Sequence, residues 1–75
     1  MERYRNLDGN SGVAAYRIGD AFIEVRFLES GTYLYNHAVP GARDVAAMQR
    51  LAVAGRGLAT YINQHVRDRY AARLD

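Results

Sequence analysis

The sequence predicts an α+β fold: a three-stranded antiparallel β-meander with two C-terminal helices packed on one face. Three observations carry that expectation. Between two glycine-containing turns, Ile23, Val25 and Phe27 alternate with Glu24, Arg26 and Leu28, the period of a half-buried strand. After Pro40 the apolar spacing changes to three and four residues. Gly55-Arg56-Gly57 then splits the helical stretch in two.

The elements follow in order. Residues 1–12, MERYRNLDGNSG, hold few apolar side chains and end in turn-forming residues. They read as a flexible N-terminal arm preceding one domain over residues 13–75. The first strand covers Val13 to Ile18 and the second Ala21 to Leu28, joined by Gly19-Asp20 in a two-residue turn that pairs Ile18 with Ala21. The third strand, TYLYNH, follows Glu29-Ser30-Gly31, a three-residue loop suited to a glycine bulge.

The bulged register pairs Leu28 with Thr32, Phe27 with Tyr33 and Val25 with Tyr35. It places Tyr33 and Tyr35 on the core face with Ile23, Val25 and Phe27, joined by Ala14, Tyr16 and Ile18. Arg17, Phe22, Glu24, Arg26, Leu34 and Asn36 fall on the opposite face. A two-residue turn instead would send both tyrosines outward, because a slip of one residue inverts the faces.

The first helix starts near Pro40, carries Asp44 in its first turn, and points Val45, Met48, Leu51 and Ala52 inward with Arg43 and Arg50 outward. The second runs from about Leu58 to about Ala72 with Leu58, Ile62, Val66 and Tyr70 as its apolar stripe. Tyr33, Tyr35 and Tyr70 are thus core residues.

Composition sets limits on function. The chain has 75 residues, 49% of them apolar, which suits one small packed domain rather than a disordered tail. It has no cysteine, so disulfides, thiolate metal sites and a cysteine nucleophile are excluded. No apolar run approaches the roughly 18 residues of a membrane span, and no signal-peptide core is visible, so no membrane partner and a cytoplasmic location are expected. All ten basic residues are arginine, against eight acids, for a net charge of +2. That balance permits an anionic partner without demanding one.

Catalysis is not expected. The two histidines, His37 and His65, show no HxxxH or HExxH spacing, and the two serines occupy turns. Gly55-x-Gly57 follows a helix, not a strand, and lacks the third glycine of a dinucleotide loop. The reading is a non-enzymatic chain with no catalytic residue, no metal and no cofactor. Surface remains. The open sheet face carries Arg17, Phe22, Arg26 and Leu34, a combination that serves either single-stranded nucleic acid or association with another protein or a second copy. A second patch closes the last helix, with Arg67, Arg69 and Arg73.

The order of features resembles the KTSC domain, a module found at the C-terminus of some lysyl-tRNA synthetases and as stand-alone bacterial proteins. The matching residues are Ser11, Tyr16, Ile23-x-Val25-x-Phe27, Gly31-x-Tyr33-x-Tyr35, Val39-Pro40 and Ile62-Asn63-x-x-Val66-Arg67-x-Arg69-Tyr70. They span Asn10 to Tyr70. Where the family has Ser-x-Gly before its last helix, this chain reads Gly57-Leu58-Ala59. The resemblance implies an uncharacterised binding module with RNA as its partner, and it points to Tyr33, Tyr35, Asn63, Arg67 and Arg69. The alternative partner is a protein, or a second copy docking on the open sheet.

Overall fold

β-branched and aromatic residues alternating with polar ones build the middle of the sheet, and two very short segments complete its edges. The computed structural model describes residues 1–75. The chain runs β1 (Glu2–Arg3), β2 (Val13–Ile18), β3 (Phe22–Phe27), β4 (Gly31–Asn36), α1 (Ala42–Ala54), α2 (Leu58–Tyr61), a π-helical turn (Ile62–Val66) and β5 (Ala72–Arg73). All five strands form one antiparallel sheet in sequence order. The α+β class and the helical cover on one face stand, but the sheet has five strands where three were expected. The outer strands of a three-stranded meander leave backbone N–H and C=O groups unpaired, and residues 2–3 and 72–73 satisfy them.

Both central hairpins are displaced by two residues from the expected register. Ile18 pairs with Ile23 rather than Ala21, and Val25 pairs with Tyr33 rather than Tyr35. A shift of two preserves which side each residue faces, so Tyr33 and Tyr35 lie with Ile23 and Val25 on the helix side. Gly31 has φ +95°, the conformation that the bulged turn reserves for glycine. One irregularity does change a face. The register slips between Val13 and Ala15, and this bulge turns Val13 into the core in place of Ala14. Ile18, expected inside, lies exposed at the end of β2.

The core joins Ile23, Val25 and Tyr35 from the sheet, Val45, Met48 and Ala52 from α1, and Leu58, Ile62 and Val66 from the second helical stretch. Each fully buried side chain of this size contributes about 1.5–3 kcal/mol. Tyr4 belongs to the same cluster and is 3% exposed. The arm expected over residues 1–12 is therefore a docked segment in its first half. Its turn residues, Asn6 to Gly12, do form loops, but an apolar ring outweighs the polar residues around it.

The same segment completes the end of α1. Gly55, at φ +76°, donates its N–H to the Leu51 and Ala52 carbonyls in a left-handed cap. Arg5 Nη2 donates to the Val53 carbonyl at 2.5 Å, and the Leu7 N–H donates to the Gly55 carbonyl at 2.7 Å. Carbonyls that a helix end leaves without partners are thus taken up by the N-terminal segment, with a cation at the negative end of the dipole.

The second helix ends at Val66, short of the expected Ala72. Its last turn widens, with the Arg67 N–H donating to the Ile62 carbonyl five residues back. The chain then turns toward the free edge of β4. Ala71 donates to Leu34, Leu74 donates to Thr32, and the Asp75 carboxylate accepts the Thr32 N–H at 2.5 Å. Pairing with that edge wins over two further turns of helix.

Candidate functional site

The turn that ends the second helix has an unusual backbone. Arg67 adopts φ +53° and ψ −120°, and the Arg69 N–H donates to the Val66 carbonyl at 3.0 Å. This is the geometry of a type II′ turn with Arg67 in its first central position, which glycine occupies at far lower cost. The turn swings residues 67–70 against the sheet. Between them lies a groove of about 440 Å³, lined by Phe27, Tyr33 and Tyr35 of the sheet, by Ile62 and Asn63 of the π-helical turn, and by Ser30, Arg67, Asp68 and Tyr70.

Four of its nine lining residues are aromatic. Tyr33 meets Phe27 edge to face at 5.7 Å between centroids and meets Tyr70 likewise at 4.7 Å. The Arg73 guanidinium lies 5.6 Å from the Tyr33 ring. Tyr35 is at the bottom, 2% exposed, and burial pushes its hydroxyl up to about 12, with Tyr33 and Tyr70 adding smaller contributions in the same direction. Tyr70, expected on the core stripe, is instead 36% exposed at the groove mouth, because the helix ends before reaching it.

The seven candidate binding residues do not converge. Asn63 and Arg67 share the groove with Tyr33, Tyr35 and Tyr70. Arg69 points to the opposite side of the helix, where it pairs with Asp44 at 3.3 Å. Arg17, Phe22, Arg26 and Leu34 lie on the uncovered sheet face, fixed there by the pairs Arg17↔Glu24, Glu24↔Leu34 and Phe22↔Asn36.

On that face Arg17 is ion-paired to Glu24 and sits 5.8 Å from the Phe22 ring. Phe22 folds back over Gly19, where a Cβ would collide with its ring. Leu34 is flanked by Ala72 of β5. The apolar groups of the open face are thus partly covered, and Arg26 is left as its outward charge. Arg3, two strands away, joins it across Ala15.

Sequence reasoning did not assign Arg3, Ser30, Ile62 or Asp68 to any binding surface. Arg3 depends on the unforeseen pairing of β1, and the other three depend on where the helix stops. His37 and His65 are exposed, and no group of three or more His, Asp or Glu side chains comes together to hold a metal ion. No helix is long and apolar enough to cross a membrane. No family model matches the chain, and neither does any curated protein or solved structure.

Proposed function

We propose that this chain is a KTSC-like, non-catalytic module of the cytoplasm that binds single-stranded RNA in the aromatic groove. The supporting observation is Arg67. A bulky residue held in a glycine conformation costs about 1–3 kcal/mol, and such strain collects where a side chain is needed for binding or switching. Arg67 has no carboxylate partner, since the two ion pairs of the structure involve Arg17 and Arg69. It stands beside Tyr33, Tyr70 and Asn63. An unstacked base packs on the tyrosine rings, Asn63 offers an amide to its edge, and Arg67 takes the adjoining phosphate. Double-stranded RNA does not present its bases in this way.

Fluorescence anisotropy with a labelled single-stranded oligoribonucleotide tests the proposal. Binding should weaken linearly in log affinity with log salt concentration, and Arg67→Ala and Tyr70→Ala should each weaken it at least about fivefold. Absence of binding at millimolar protein and low salt overturns it. A concentration-dependent dimer that Leu34→Glu converts to monomer, without RNA binding, would assign the chain to self-association through the open sheet instead.

A further inference from the structure

A second hollow, of about 540 Å³, opens between α1 and the second helix on the side where Arg69 points. Arg43, Asp44 and Arg50 of α1 face Tyr61, His65 and Arg69 across it. The Asp44 carboxylate is fully engaged: Oδ1 accepts the Tyr61 hydroxyl at 2.6 Å and Oδ2 accepts Arg69 at 3.3 Å. Arg69 also donates to the His65 carbonyl from the same Nη2, so this end of its guanidinium is held by two acceptors. The Tyr61 and His65 rings lie 4.6 Å apart and form one wall.

Arg43 and Arg50 are different. They lie seven residues apart on one face of α1, about 10 Å along its axis. Neither takes part in the ion pairs of the structure. Their charges reach the site, because they oppose the rise that the Asp44 hydrogen bond causes in the Tyr61 hydroxyl pKa. Three guanidinium groups against one carboxylate leave the hollow at a formal +2, equal to the net charge of the entire chain. Concentrating like charge in one concavity is unfavourable until an anion enters it. Guanidinium forks match the oxygen geometry of phosphate better than any other side chain.

We propose that this hollow is a phosphate-binding site, in which Arg43 and Arg50 clasp the phosphate and the pinned Arg69 closes the third side. The group is either the monoester of a free nucleotide or the diester of an RNA backbone. The site does not depend on the aromatic groove.

The test is NMR titration at constant ionic strength in phosphate-free buffer, following the arginine Nε–H resonances. The three probes are inorganic phosphate, adenosine 5′-monophosphate and an oligoribonucleotide without terminal phosphates. The Arg43 and Arg50 signals should shift saturably while those of Arg26 and Arg56 do not. Saturation by the first two probes alone identifies a monoester site, and saturation by the oligonucleotide identifies a backbone site.

The double variant Arg43→Gln/Arg50→Gln removes only exposed side chains. It should fold normally and bind at least tenfold more weakly. Arg67→Ala should leave phosphate binding unchanged, which separates this site from the groove. The proposal is overturned if all arginines shift alike and without saturation, or if the double variant keeps its affinity.

Discussion

The Tyr4 hydroxyl accepts a hydrogen bond from the Leu58 backbone N–H at 3.3 Å, linking the segment that follows the first strand to the start of the second helix across 54 residues of sequence. Leu58 is one of the first residues of a helix, whose N–H groups have no partner within it, and it is fully buried. Tyr4 therefore supplies both a core ring and a cap. Tyr4→Phe keeps the ring and leaves the N–H unsatisfied, at a cost of about 1–3 kcal/mol. Tyr4→Ala removes both and costs about 3–5 kcal/mol. Urea denaturation should rank the parent above Tyr4→Phe and Tyr4→Phe above Tyr4→Ala. A Tyr4→Ala variant within about 0.5 kcal/mol of the parent would mean that the N-terminal segment does not dock.

Stability and binding should separate at Arg67. Arg67→Gly relieves the positive φ and is expected to raise stability by about 1 kcal/mol, although the glycine loses more entropy on folding. The same variant removes the groove's cation, so under the proposed function RNA affinity should fall, as expected for Arg67→Ala. Thermal denaturation and anisotropy on one sample check both. A less stable Arg67→Gly protein would show that the arginine side chain is a packing element.

Tyr35 makes stability depend on alkaline pH. Its hydroxyl titrates near 10 in the unfolded chain and at about 12 in the folded one. Below about pH 10 both states hold the proton, and the contribution of the buried neutral ring is fully present. Between about pH 10 and about pH 12 only the unfolded state releases it, so stability falls as pH rises. Tyr35→Phe has no such proton. Urea midpoints measured across that range should fall more steeply for the parent than for the variant. Parallel midpoints would show that the Tyr35 hydroxyl is solvated.

The faces of the central strands were legible because they depend only on parity. Both hairpin registers were off by two residues, yet Tyr33, Tyr35, Arg17 and Arg26 were all assigned to the correct side. The edge strands were not legible. Two residues cannot display a period of two, and Glu2–Arg3 and Ala72–Arg73 pair because a neighbouring edge is vacant.

The end of the second helix was hidden for a different reason. Tyr70 continues the four-residue spacing of Leu58, Ile62 and Val66, but it finds its apolar contact on Tyr33 rather than on the helix stripe. The groove exists only because the helix stops early. For that reason Asn63 was reached only through a family likeness, and Arg67 only through that likeness and as part of an arginine patch at the helix end, not as a groove residue.

The sheet order gives the folding reaction a direction. β2, β3 and β4 are joined by short turns, so their pairings close small loops and can form early. The contacts that fasten the flanking segments span far more chain: Arg5 to Val53 across 48 residues and Thr32 to Asp75 across 43. Contacts of such long sequence separation are expected to close after the rate-limiting step and to open before it in reverse. Losing one should therefore speed the escape from the native state while leaving the approach to it untouched. In a chevron plot, Tyr4→Ala is expected to raise the unfolding limb and leave the folding limb where it is, making the N-terminal segment a determinant of lifetime rather than of folding speed.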